Sequence, residues 1–276
     1  MGSRMRDLLM GALGDLRYEP TNKRVRAVLG DRTVVDSTRA VLVWEPRRVV
    51  PAYAVPVEDV AGEVDESVHS PEGIHPPSPS PAQPAARAPL DPRVPFGVHS
   101  ALGLPVTIRA GERTAEGFLL SDVDLAGYVV LDFRGFDAWY EEDDQIRSHP
   151  HDPFHRIDVR RSSRHIIIEL DGHPVADTTN ALLLFETMLP TRYYLPRSDV
   201  LIELHPSTTR TTCAYKGAAV YWSADIAGRA ADDLAWSIPE PLNEAIEVAG
   251  LICFFDERLD LSIDGQRRPR PTTPWS

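Results

Sequence analysis

RVRAVLGDRTVVDSTRAVLVWEP (Arg24 to Pro46) and HIIIELDGHPVADTTNALLLFET (His165 to Thr187) are one pattern written twice, 141 positions apart. An internal repeat decides the architecture before any local reading does. Leu29, Val34, Asp36, Thr38, Ala40, Leu42 and Glu45 meet Leu170, Val175, Asp177, Thr179, Ala181, Leu183 and Glu186. After a one-residue slip, Tyr53, Pro56, Asp59 and Val60 meet Tyr193, Pro196, Asp199 and Val200. Each copy alternates apolar and polar residues around a tight turn, Gly30-Asp31 or Asp171-Gly172, which predicts a β-hairpin because such turns need positive φ. ALLLF (Ala181 to Phe185) is a continuous apolar run and reads as a strand covered on both faces.

Outward from that core, strands are predicted at Thr211 to Cys213, Ala218 to Ser223, Ala249 to Phe255 and Leu259 to Ile263. Helical periodicity is weak; Leu8 to Leu16 and Pro241 to Ile246 each suit a short helix, the second opened by proline at a first turn. AGYVVLDF (Ala126 to Phe133) and FDAWYEE (Phe136 to Glu142) meet AGLICFFD (Ala249 to Asp256) and LDLSIDG (Leu259 to Gly265) at one shared offset. HPHDPF (His149 to Phe154) echoes RPTTPW (Arg270 to Trp275), a proline-marked exit from each copy. The domains are therefore expected at 17–154 and 155–276, the first a degenerate copy. Nine of the 25 prolines fall between Pro71 and Pro95. Residues from about Val64 to Pro95 accordingly read as an exposed linker or loop that cannot bury a core.

The 276 residues carry a formal net charge of −12, which makes nucleic acid and anionic membranes poor partners. Composition is ordinary for a globular protein, with 42% hydrophobic and 25% charged residues, enough to bury a good core. Two cysteines, Cys213 and Cys253, supply neither a disulfide framework nor a four-cysteine zinc site, so a reducing cytoplasm is expected. The opening MGSRMRDLLMGALGDLRYEP has a short apolar run broken by Asp15 and no small-residue cleavage site, unlike a signal peptide. No stretch approaches the roughly 20 apolar residues of a membrane span. Oligomeric state is not written in these features.

The second copy runs SSRH, DG, VADTTNALLLFET, RYYLPRSDV, TTCAYKGAAVYWS, DLAWSIPEP, AGLICFF and LDLSIDG in that order. This succession resembles the domain of unknown function 427 family in its actinobacterial, two-copy form, over about Arg17 to Ser276 less the proline-rich insertion. The resemblance implies a mainly β fold, two tandem homologous tent-like domains of antiparallel sheets with few short helices. The nucleotidyltransferase label that the family carries finds no motif here. Three positions depart from the family pattern: Ala214 replaces a usual proline, Ile238 a common tyrosine and Cys253 a small apolar residue.

The densest chemistry lies in TTCAYKGAAVYW (Thr211 to Trp222). Gly217 lets the chain turn beside Lys216 and leaves its ammonium free to reach an anion. Ala218, Val220 and Trp222 should face one way and Ala219 and Tyr221 the other. A pocket is expected with Trp222 and Trp236 as aromatic floor, Lys216 as cation and Glu186 as carboxylate, bordered by Tyr193, Tyr215 and Tyr221; its ligand is an unidentified small molecule. Glu186 ends an apolar run, where a lone charge needs a reason. An enzyme would use Lys216 and Glu186 as acid and base, or Cys213 as nucleophile with His205 the nearest histidine in sequence. A third reading makes these residues structural parts of an interaction protein. Glu45 with Tyr53 mirrors Glu186 with Tyr193 in the first copy, which lacks the CAYKG segment and so reads as a partner half. HPHDPFH (His149 to His155) lacks the spacing of a metal site, no metal or cofactor is expected, and RRSSRH (Arg160 to His165) reads as a surface turn.

Overall fold

The structure is a computed structural model and describes residues 2–66, 89–90 and 94–273. The chain divides into two compact units, Met1–Asp152 and Pro153–Ser276. The first opens with α1 (Met5–Gly11), shorter than the helix expected to Leu16, as befits a stretch with glycines at positions 11 and 14. Its strands are β1 (Arg17–Pro20), β2 (Val25–Leu29), β3 (Arg32–Ser37), β4 (Val41–Trp44), β5 (Ala52–Pro56) and β6 (Glu63–Glu66). They continue with β7 (Gly103–Ala110), β8 (Arg113–Leu120), β9 (Tyr128–Leu131), β10 (Ala138–Glu141) and β11 (Asp144–Ile146). A seven-stranded antiparallel sheet runs β1-β4-β5-β9-β8-β7-β6, and a four-stranded one runs β11-β10-β2-β3.

The second unit repeats this with β12 (Ile157–Ser162), β13 (Ile166–Leu170), β14 (His173–Thr178), β15 (Ala181–Glu186), β16 (Arg192–Leu195) and β17 (His205–Cys213). It closes with β18 (Gly217–Ile226), β19 (Arg229–Ser237), β20 (Ile252–Phe254), β21 (Asp260–Ile263) and β22 (Gln266–Arg267). The orders β12-β15-β16-β20-β19-β18-β17 and β14-β13-β21-β22 match the first unit strand for strand. The fold is mainly β, in two similar halves.

Register checks the sequence alignment residue by residue. Leu42 faces Tyr53 and Leu183 faces Tyr193, so the one-residue slip between the copies is real. The shared offset expected at the last long strand is corrected: Trp139 lies opposite Ala27, and Leu261, not Ser262, lies opposite the matching Ile168. The two-residue hairpins form as expected, with Gly30 at φ +67 in one and Asp171 and Gly172 at +50 and +80 in the other. The segment expected to be helical at Pro241 to Ile246 is a 3-10 turn at Asn243–Val248 instead. Part of the expected linker is also strand, since Val64 to Glu66 belongs to β6. Residues 67–88 and 91–93 of that expectation lie outside the described residues.

In each half the two sheets pack face to face. Val25, Ala27 and Trp139 of the smaller sheet bury against Leu42, Tyr53 and Ile108 of the larger. Ile166, Ile168 and Leu261 do the same against Leu195, Ala235 and Phe254. The outer face of each larger sheet is covered as well, by different means. In the first half Leu16, Phe96 and Ala101 pack on Val41, Val43, Ala54 and Phe118. In the second, Ala245 and Val248 of the 3-10 turn and Leu251 pack on Leu184, Tyr194 and Cys253. Among the described residues no helix is long and apolar enough to cross a membrane.

Candidate functional site

Strand parity sorts the expected site residues. Leu182 and Leu184 lie on the outer face of the second half's large sheet, and Glu186, two residues on, shares that face. Tyr221 lies directly opposite Trp236, and Trp236 opposite Cys253, so both aromatics belong to the outer face too. Trp222 pairs with Ala235 on the inner face, where its indole donates to Ser237 Oγ at 2.9 Å and lies under the Arg197 guanidinium. Tyr193 is likewise inward. The aromatic floor expected from Trp222 and Trp236 together therefore does not assemble, because adjacent parities put them on opposite sides of one sheet.

Glu186 sits at the centre of what does assemble. Its side chain is 5% exposed, with Lys216 Nζ at 2.5 Å from Oε2 and His155 Nε2 at 3.0 Å from Oε1. The His155 ring stacks on buried Tyr215 with centroids 4.3 Å apart. The turn that delivers Tyr215 and Lys216 depends on Gly217, at φ +98, where a Cβ would come within 3.1 Å of the Glu240 carbonyl oxygen. The Lys216 carbonyl in turn accepts from Leu242 N–H, which ties this turn to the segment crossing the outer face. Lys216 and His155 keep 16% and 18% exposure, so both retain access to solvent. Trp236 donates to Tyr194 OH at 3.2 Å and lies 4.4 Å from the Phe255 ring, while Tyr221 stacks beyond Phe255. Arg192, buried between Asp256 and Glu257, passes over the Trp236 ring at 5.4 Å.

Burial alone would favour neutral Glu186. The hydrogen bond from His155, then the charge and hydrogen bond of Lys216, outweigh it and hold the carboxyl down at about 2. Its folded pKa thus lies below the unfolded one, so its contribution is present above about 4.5 and is lost as pH falls towards 2. That contribution is about 3 kcal/mol. Glu186→Gln should flatten the acid limb of stability between pH 4.5 and 2, measured as urea midpoint against pH; an unchanged limb would mean that the cluster does not hold the charged form. A carboxylate so firmly ionised and twice paired is a weak general base and no general acid.

Cys213, half-buried, shares its face with Thr211, which lies opposite Ala219. His205 is at the far end of the same strand, roughly 25 Å away at 3.3 Å per residue, and cannot serve as its base. Cys253 is fully buried with its thiol pushed well up by desolvation, which makes it a packing residue. His149 Nδ1 lies 2.7 Å from the Pro150 carbonyl oxygen, and among the described residues no group of three or more His, Cys, Asp or Glu is placed to hold a metal. Sequence reasoning missed His155, Tyr194, Arg192 and Phe255. Tyr194 was within reach of it, since the alternation in RYYL requires one tyrosine outward, but the choice rests on the 187–191 turn length.

The first half builds the same position differently. Glu45 directly follows β4, the strand matching β15, and is 3% exposed; His99 Nδ1 lies 2.7 Å from Oε1, and the amides of Ser100 and Ala101 donate to Oε2 at 2.6 and 2.9 Å. His99 stacks on Phe118, whose counterpart by register is Trp236, since each lies opposite the matching residue of the next strand, Val130 or Cys253. Arg48 fastens this segment by donating to the carbonyls of Val94, Pro95 and Val98. Here the carboxylate is closed by backbone, with no lysine at it.

Fold and site together define an antiparallel β domain with a buried, cation-clamped carboxylate on the outer face of its larger sheet. Residues 158–265 match the model of a domain of unknown function (DUF427), a stretch that lies wholly within the second half. A search of curated proteins returns no match.

Proposed function

We propose that the second half is a small-ligand-binding module whose site is the outer face around Lys216, His155, Tyr215, Tyr221 and Trp236. The carrying observation is that Glu186 orients two N–H donors that both keep solvent access, beside partly exposed Trp236 and Tyr221. A ligand fitting this has acceptor oxygens for Lys216 and His155 and a flat apolar part for the aromatics. The first half, where chain atoms saturate the equivalent Glu45, is a supporting copy without that site. The shared strand order favours a tandem duplication with divergence of the first copy, and the scarcity of cysteine favours a cytoplasmic setting.

The test is a thermal-shift screen of the full chain against nucleotides, amino acids, organic acids and sugars, with Lys216→Ala and Trp236→Ala as controls. Ligand at a hundred times its dissociation constant adds about 2.7 kcal/mol, a rise of several degrees. A hit abolished by Lys216→Ala supports the reading. Hits that survive both substitutions, or none across the library, sink it.

A further inference from the structure

The inner face carries a second difference between the halves, independent of the Glu186 site. In the first half Tyr53 is buried, and its hydroxyl donates to Glu141 Oε1 at 2.6 Å. Glu141 Oε2 accepts from Lys23 Nζ, and the His151 amide adds a bond to Oε1. This is a closed carboxylate site: phenol, cation and backbone N–H around one glutamate that is itself 8% exposed.

Register fixes the equivalents. Tyr193 matches Tyr53, and Arg164 matches Lys23, which is likewise followed by a residue paired across the hairpin: Arg24 with Asp36, His165 with Asp177. Glu141 lies opposite Val25 and Ile263 opposite Ile166, so isoleucine stands where the first half has its acid. The neighbouring strand shows the reverse exchange. Ile146 lies opposite Trp139, and the amide of Arg268 bonds the carbonyl of the matching Leu261, so arginine replaces a buried isoleucine. An acid has become apolar and an apolar residue has become a base.

The consequence shows in the side chains. Tyr193 is half-buried, and among the described residues its hydroxyl has no hydrogen-bond partner. Register sets Arg268 opposite Leu261 on the inner face, and Arg164 two residues before Ile166 on the strand beside it. Burial and Asp256 raise the Tyr193 phenol above the ordinary value, while the Arg268 and Arg164 guanidinia pull it back. Arg164 is 46% exposed, close to the 44% of Lys23, and spends one donor on Asp264 at 2.7 Å. Arg268 forms no ion pair among the described residues, and Asp256 is engaged by Arg192. The Tyr193 phenol and the Arg268 guanidinium, without an acceptor among the described residues, and the donors that Arg164 does not give to Asp264 suit an anion with planar oxygens.

We propose that the second half binds a carboxylate-bearing small molecule at Tyr193, Arg164 and Arg268, its carboxylate taking the place that the Glu141 side chain holds in the first half. Acetate and benzoate are titrated into the full chain at fixed pH and ionic strength, against sodium chloride and inorganic phosphate, following melting temperature and the tyrosine ring carbon signals. Both carboxylates should give a saturable rise that persists in Lys216→Ala, which separates this site from the outer-face one. Arg268→Ile, which restores the residue of the first half, and Tyr193→Phe should each weaken binding roughly tenfold or more, as loss of a hydrogen bond to a charged group does. Ile263→Glu should abolish the response by supplying the carboxylate internally; should that variant fail to fold, the other two carry the test. A response no larger than that to chloride, one given by phosphate alone, or one that survives Arg268→Ile overturns the proposal.

Discussion

Trp139→Ala is expected to cost about 4 kcal/mol, the middle of the range for emptying a large aromatic from a core. The side chain is 2% exposed and stacks on Phe133 at 5.0 Å, meets Phe136 edge-on at 5.1 Å and lies 5.8 Å from Tyr53. Its indole also donates to the Phe133 carbonyl at 2.8 Å, leaving that acceptor unpaired in the variant. Three aromatic rings around the gap are poorly placed to collapse into it. The measurement is the shift in urea midpoint; a loss below about 1 kcal/mol would show that the site refills and that Trp139 does not organise this core.

The second large effect belongs to Arg192. Its guanidinium reaches Glu257 at 2.6 and 2.9 Å and also pairs with Asp256, and the Glu257 side chain has no exposure at all. Arg192→Met keeps much of the packing over Trp236 but strands two buried carboxylates side by side, a loss of about 3–5 kcal/mol. Burial and Glu257 already push Asp256 up to about 6 despite the arginine. Without it both acids should sit above their unfolded values, so the variant loses stability as pH rises and recovers as pH falls. Denaturation of variant and parent at pH 5 and pH 8 reads this directly. A deficit that is equal at both, or larger at pH 5, would contradict the account.

Much of this architecture is legible in the sequence because a strand repeat is a period-two signal and its turns have strict chemistry. The copies declare themselves in Asp36, Thr38 and Glu45 against Asp177, Thr179 and Glu186, and the hairpins in Gly30 and Asp171-Gly172. Lys216 and Glu186 are also brought together as expected. What stays hidden is parity: a strand's alternation says that Tyr193 and Tyr194 point opposite ways, but only the partner's register says which faces Glu186. His155 is hidden for a different reason. It enters from the segment before β12, 31 residues from Glu186, and nothing local marks the contact. The slip at the last long strand has a similar origin, since shared letters in FDAWYEE and LDLSIDG outvoted the ladder.

The connection from Glu66 to Gly103 replaces a turn of three residues, Ala214 to Lys216, in the other half. By chain length alone, joining two strands through the longer connection costs only about 2 kcal/mol more than through the short one. The strands on either side explain why the fold bears it. Those before the connection pair with those after it three times, β6 with β7, β5 with β9 and β2 with β10. The two pieces of the first half are thus stitched by their own ladders at three places, and the peptide link between them is the least of their bonds. That is the topology of a split protein: a chain nicked there is two fragments that already carry each other's missing edges.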